Sequence, residues 1–326
     1  MKKSVFKVCA VLELLLLAAV FCVGLSGCKS SVKDDGIKYI IGISQANLLE
    51  PERIAMNDEI RTELLKYPDA KAVFYDAADS SEKQVEDIEN MMKQKINLLI
   101  ISPIKDSELE TSIKEVYDSG VPVIIIGYPL ENESYTMRIY SDNKKIGNIA
   151  GDYVEELLGP NGGTVLEIQG EPAAQETKKR RAGFREATGS NPGIHVEYVV
   201  VGYWLRDKTI INLRTSGVFD MEPKIDIIYA HNDAMAIGAR RLTVAKKTTP
   251  VIIGIGGLQG KNGGLLAVKN GIIDVTFLNP IGGVQAVRYA IDILKGKDTP
   301  KYVELKTQIV TKDNVEQFIK DNEQTQ

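Results

Sequence analysis

Short apolar runs separated by helical patterns constrain this chain more than any other feature of its sequence. KYIIGIS (38–44), KAVFY (71–75), NLLIIS (97–102) and VPVIIIG (121–127) are rich in Ile and Val and are bounded by polar residues or Gly. They read as strands buried on both faces. Between them, Val85, Ile88, Met91 and Met92 recur at helical spacing, as do Leu109, Ile113 and Val116. The pattern restarts with GTVLEIQ (163–169), IHVEYVVV (194–201), IDIIYA (225–230) and PVIIGIG (250–256), with helical stretches over 146–158 and 235–242. Strands alternating with helices require parallel sheets covered on both faces. Two such sets predict an α/β chain of two doubly wound parallel-sheet lobes. No residue-level repeat links the sets, so their likeness is architectural. The polar tail over 313–326 reads as ending in a surface helix.

Composition narrows the function classes. The 326 residues carry 40 Lys plus Arg against 44 Asp plus Glu, a formal charge of −4. Such a balance is poorly suited to tracking a phosphate backbone, so no nucleic-acid partner is expected. The three cysteines, Cys9, Cys22 and Cys28, all fall in the first 28 residues. Beyond them there is no disulfide framework, no CxxC zinc site and no cysteine nucleophile. The two histidines, His195 and His231, leave little for a metal centre, and none is expected.

The N-terminus reads as a processing signal. MKKSVFK is basic, and LLLLAAVFCVGL (14–25) has the length of a signal-peptide core rather than a membrane span. The tetrad Leu25-Ser26-Gly27-Cys28 resembles a bacterial lipoprotein box, in which the cysteine is lipidated and becomes the first mature residue. Residues 1–27 are then the signal and 28–36 a polar tether. Lipidation at Cys28 implies an extracytoplasmic protein held to the membrane by its lipid anchor.

Doubly wound sheets bind ligands beyond the carboxyl ends of their strands. The positions following the strands are therefore the candidates: residues 45–53, 76–79, 102–103, 127–128, 170–180, 202–206, 231–233 and 256–257.

Several of these loops resemble the ribose- and galactofuranose-binding branch of the type I periplasmic sugar-binding proteins, the solute-binding subunits of bacterial ABC transporters. The likeness is carried by IGISQANLLEPERIAMNDEI (41–60), LLIISP (98–103), YSDNKKIGNIAGDYV (140–154), LEIQG (166–170), KKRRAGF (178–184), YAHNDAMAIGA (229–239) and FLNPIGG (277–283). The resemblance covers roughly residues 39–311. The resemblance implies two lobes joined by three chain crossings that close on a ligand by hinge motion. The first lobe takes residues 37–141 and 279–308, the second 142–278 and 309–326. It also implies a monomer that needs no cofactor, captures a sugar or sugar-like polar solute and delivers it to ABC permease subunits. The alternative is a sensing subunit that presents its ligand to a membrane histidine kinase or chemoreceptor.

The resemblance assigns roles residue by residue. Arg180 matches an arginine that bonds sugar oxygens, as suits a planar guanidinium fork. Asn232 matches an asparagine whose amide offers both donor and acceptor, with Asp233 left to cap the helix that follows. Trp204, the only tryptophan, takes the place of an aromatic wall against the apolar face of a sugar ring. Gln45, Glu52 and Arg53 supply the first loop, and Glu52 stands where relatives carry an aromatic. Ser102 stands in for an asparagine, and Asn279 lies in the late segment FLNPIGG of the likeness. Two departures matter more. Gly127-Tyr128 replaces an Asp-Arg pair, and Gly256 replaces a second aspartate. Tyr128 could stack on a ring, and Gly256 leaves room. A hydroxyl buried without its acceptor costs about 1–3 kcal/mol, so a ribose-like mode does not carry over unaltered. A different sugar, a larger glycoside or a carboxylated sugar held by Arg53 and Arg180 all remain open.

Enzyme signatures are missing from the sequence. GIGGLQGKNGG (254–264) fails G-x-G-x-x-G because Gln259 holds the third glycine position, and no P-loop, G-x-S-x-G or H-E-x-x-H occurs. No catalytic activity is expected. Lactose-repressor-type regulators share the two-lobe fold but begin with a helix-turn-helix domain, where this chain carries the lipoprotein-like signal.

Overall fold

In the computed structural model, which describes residues 36–104, 107–127 and 129–323, the apolar runs become two six-stranded sheets. All that follows concerns the unit that begins at Lys38. The first sheet contains β1 (Tyr39–Gln45), β2 (Ala70–Asp76), β3 (Leu98–Ser102), β4 (Val123–Ile126), β5 (Met137–Ser141) and β11 (Tyr302–Leu305), in the order β11-β5-β4-β3-β1-β2. Every pair in it is parallel. The second contains β6 (Gly163–Gln169), β7 (Ile194–Val201), β8 (Ile227–Ala230), β9 (Val251–Gly256), β10 (Val275–Leu278) and β12 (Ile309–Thr311), in the order β12-β10-β9-β8-β6-β7. Here β12 alone runs antiparallel, against β10. The strand order reverses at β1/β3 in one sheet and at β6/β8 in the other, which creates a crevice at the carboxyl ends of those strands.

The period of two along each strand decides which side chain goes where. Ile41, Ile43, Leu98, Ile100, Ile124 and Ile126 share a core with α1 (Pro51–Leu64) and α9 (Gly283–Leu294). Their neighbours Leu99, Ile101, Val123 and Ile125 face the other way, onto α2 (Ser81–Lys93) and α3 (Ser107–Asp118). In the second lobe, Leu166, Ile168, Ile228 and Ala230 pack with α6 (Arg206–Ser216), α7 (Asp233–Lys246), α8 (Gly264–Lys269) and the start of α10 (Val315–Glu323). Val165, Ile227, Tyr229, Ile253 and Ile255 pack with α4 (Asn143–Leu158) and α5 (Gln175–Thr188). The apolar runs therefore lack a polar face because neither face meets water.

The chain passes between the sheets three times: from β5 into α4, from β10 into α9, and from β11 into β12. The sequence pattern had not marked β5, β10, β11 or β12 as strands. They are three to five residues long, and most carry polar residues among the apolar ones. The strand expected from residue 121 begins only at Val123, after Pro122, which has no N–H to give a ladder.

Helices α4 and α5 approach closely through glycine. A Cβ on Gly147 would lie 2.2 Å from the Arg180 carbonyl oxygen, and one on Gly183 would lie 2.0 Å from the Lys144 oxygen. This contact fixes α5, and Arg180 on it, against the start of α4. Gly183→Ala should therefore overpack the pair and cost about 1–3 kcal/mol. A lowered urea midpoint would show it, and an unchanged midpoint would contradict the close approach.

Candidate functional site

The loop after β1 is shaped by Asn47, whose Oδ1 accepts the backbone N–H groups of Leu49 (3.0 Å) and Glu50 (3.2 Å). The turn leads into Pro51, the first residue of α1, where a missing N–H costs nothing. Glu52 and Arg53 follow in the first turn. Arg53 is engaged inside its own lobe through two of its three nitrogens: Nε donates to Glu50 Oε2 at 3.1 Å and Nη1 donates to Ser102 Oγ at 2.8 Å. Gln45 is buried and donates to Asn57 Oδ1 at 3.0 Å, while its Oε1 has no partner. The first lobe thus offers the crevice the carboxylate of Glu52, which its own lobe's side chains leave for a partner across the crevice.

The second lobe supplies the other wall. Arg180, in the second turn of α5, is only 4% exposed. Its Nε donates to Asn143 Oδ1 at 2.7 Å, and its Nη1 donates to the His231 carbonyl oxygen. Two nitrogens are thereby fixed, and Nη2 makes no hydrogen bond among the described residues. Beneath it, His231 Nε2 meets Glu167 Oε1 at 3.1 Å, and Arg185 donates to Glu167 Oε2 at 3.0 Å. Burial works to raise the Glu167 carboxyl, but bonds from His231, Gln169 and Arg185 outweigh it and hold the group down at about 2. An ionised, compensated carboxylate thus anchors the strand end that orients Arg180.

Trp204 reaches the same place through an unusual backbone. Tyr203 and Trp204 both have positive φ, 53° and 63°. That conformation is costly for side-chain-bearing residues. It sets the indole against Gly170, where a Cβ would lie 2.1 Å from the ring. The Arg180 guanidinium carbon is 5.5 Å from the Trp204 ring centroid, within cation–π range.

Asn232 is the point where the lobes meet. Its Oδ1 accepts the Met235 N–H at 2.9 Å, so Asn232 itself caps α7. Its Nδ2 donates to the Trp204 carbonyl oxygen at 3.0 Å and, across the crevice, to Glu52 Oε1 at 3.1 Å. The expectation that Asp233 caps this helix is corrected here. Asp233 is 5% exposed and accepts instead from Thr276 Oγ1 and the Gly257 N–H, each at 2.6 Å. An Asn-Asp pair before a helix can cap through either residue, so sequence alone could not choose.

Gly256 explains part of the missing acidity. A Cβ there would lie 2.8 Å from Asp233 Oδ2 and 3.9 Å from Glu52 Oε1, and its φ of 147° also favours glycine. Two carboxylates from elsewhere already crowd that place. Asn279 bonds the Gly256 carbonyl through its backbone N–H at 3.0 Å, and its buried Oδ1 has no partner. Ser102 accepts from Arg53 rather than standing free. Tyr128 and Cys28 lie outside the described residues. Sequence reasoning did not single out Asn143 or Glu167, whose roles depend on contacts between distant segments.

Burial pushes the Glu52 carboxyl up to about 7; its own backbone N–H and Arg180 oppose this, while Glu50 and Asp233 reinforce it. Burial also raises Asp233 to about 6, against its bonds from Thr276 and Gly257. For Glu52 the folded value exceeds the unfolded one, so its contribution to stability is intact below about 4.5 and is lost as pH rises through about 7. Glu52→Gln should therefore stabilise the fold by up to about 3 kcal/mol near pH 8 and have little effect near pH 4. Thermal melts at both pH values test this, and a larger gain at the acidic one would contradict it.

The arrangement offers a flat aromatic, a partly free guanidinium and carboxylate oxygens on opposite walls, as hydrogen-bond recognition of a polyhydroxylated molecule requires. Among the described residues no group of three His, Cys, Asp or Glu could hold a metal ion.

Comparison with known proteins identifies the family. A model of the periplasmic binding protein domain matches residues 41–298. The ribose import binding protein of Bacillus subtilis is 28% identical over 305 residues, covering 93% of this chain and 97% of that protein. The fructose binding periplasmic domain of a hybrid two component system superposes with a TM-score of 0.79 at 30% identity, covering 88% of this chain and 95% of that one. A solute binding protein from Bacillus halodurans, solved with bound myo-inositol, gives 0.78 at 25% identity over 87% of this chain and 98% of that one.

Proposed function

The chain belongs to the periplasmic binding protein domain family, and from that premise we propose that it is an extracytoplasmic binder of a sugar or related polyol that delivers its ligand to an ABC permease. The carrying observation is the convergence of Arg180, Trp204 and Asn232 from one lobe on Glu52 from the other. The named relatives bind ribose, fructose or myo-inositol. That range matches a cleft whose fixed donors and acceptors address hydroxyl groups.

In this reading the lobes divide at 37–141 with 279–308 and at 142–278 with 309–326. Bending at the three crossings opens and closes the cleft. Gln45, Ser102 and Asn279 line it beside the four central residues, the ligand-binding role that the resemblance gives Tyr128 belongs to the same reading, and Gly256 makes room for the Asp233 and Glu52 carboxylates. The protein acts as a monomer without a cofactor and performs no chemistry on its ligand. Cys28 carries the lipid that ties it to the membrane.

The likeness to a domain of a two component system favours a second reading, in which the closed lobes signal to a membrane kinase. Gene deletion separates the two. A transporter subunit is needed for uptake of the labelled ligand, whereas a sensor subunit is needed for the transcriptional response while uptake persists.

Binding itself is tested by thermal shift with neutral sugars and polyols. A ligand at a hundredfold excess over its Kd should stabilise the fold by about 2.7 kcal/mol, and Arg180→Ala should abolish the shift. No shift with any of them would contradict the sugar reading. Cys28→Ser should move the protein from the membrane fraction to the soluble one; continued membrane retention would contradict the anchor.

A further inference from the structure

We propose that the Glu52 carboxylate sets the charge class of the ligand, so that the cleft admits uncharged polyols and excludes sugar acids. The inference rests on reading the cleft as a polyol site and adds which polyols it accepts.

The argument begins with what is already committed. Arg53, the cation that a ligand carboxylate could have used on the first lobe, is held by Glu50 Oε2 and Ser102 Oγ. Arg180, the cation of the second lobe, keeps one nitrogen free and already has carboxylates around it in Glu52, Glu176 and Asp233. The Glu50–Arg53 pair cancels. Glu52, Glu176 and Asp233 then face a single Arg180, so negative charge is in excess in the ionised cleft. A ligand carboxylate would add to it, beside Glu52.

Geometry ties that excess charge to the closed arrangement. Asn232 has no amide group to spare: its oxygen caps α7, and its nitrogen serves the Trp204 carbonyl and Glu52 Oε1. Glu52 is therefore the acceptor within the crevice that ties the first lobe to the second. A ligand that fits between the lobes meets this carboxylate as an acceptor and must bring a donor to it. Hydroxyl groups do so, and an ionised carboxylate cannot. The glycine at 256 belongs to the same arrangement, since any side chain there would intrude between the Asp233 and Glu52 carboxylates.

The groups facing Glu52 are Glu50 from the preceding loop, Arg180 from α5, and Asn232 and Asp233 at the head of α7. Glu52 and Asp233 gain protons near 7 and 6 respectively, so acidification removes the excess negative charge. A sugar acid stays ionised throughout that range.

The test is calorimetric titration of the full chain with matched pairs, glucose against glucuronate and galactose against galacturonate, near pH 8 and again near pH 5.5. The wild-type protein should bind a neutral member at least about tenfold more tightly than its acid near pH 8, because like charges in one cleft repel. The gap should narrow near pH 5.5. Glu52→Gln, which keeps an acceptor oxygen and loses the charge, should narrow it near pH 8 as well. The wild-type pH comparison decides the matter even if that variant folds poorly. An acid bound as tightly as its neutral partner near pH 8, or a gap that ignores both pH and the substitution, overturns this proposal and leaves the polyol reading standing. Failure of every neutral member to bind overturns both.

Discussion

A guanidinium buried to the extent of Arg180 must have its charge and its hydrogen bonds answered by the protein around it. That requirement organises the second lobe. Asn143 at the head of α4, the carbonyl oxygen of His231 after β8, and the indole of Trp204 each take one aspect of it. The Glu167–Arg185 pair below holds the β8 end in place through His231. The close packing of α4 and α5 through Gly147 and Gly183 brings these partners within reach. Removing any of them would leave a buried cation misplaced.

The first lobe answers the same charge from across the crevice. Its contribution is a carboxylate, Glu52, delivered by an Asx-type turn and a helix start. Attraction between the charges on opposite walls offsets only part of the cost of burying Glu52. These charges also leave a narrow set of donors and acceptors for anything held between them. Hinge motion and ligand selection thus share the same atoms, Asn232 Nδ2 and Glu52 Oε1.

Much of the fold was legible in the sequence because most central strands of a doubly wound sheet are apolar without interruption. NLLIIS and VIIGIG announce themselves, whereas YVEL and IVT at sheet edges do not. Edge strands have one neighbour and mixed exposure, so no period marks them. At the site, Arg180 and Trp204 could be placed by their positions after strands. The division of labour between Asn232 and Asp233 could not, because both are competent caps and only the Thr276 and Gly257 contacts show that Asp233 is used elsewhere. The replacement of an aspartate by Gly256 looked like a loss. In the structure two carboxylates from other segments stand beside that glycine.

Trp204 offers the most direct measurement, since it is the only tryptophan in the chain and lies beside Arg180 in the crevice. Its emission should change saturably, with one ligand per chain, on titration with a neutral polyol. The change should vanish in Arg180→Ala. Emission indifferent to every neutral polyol, or an equal response in the Arg180 variant, would contradict the claim that this crevice is the binding site.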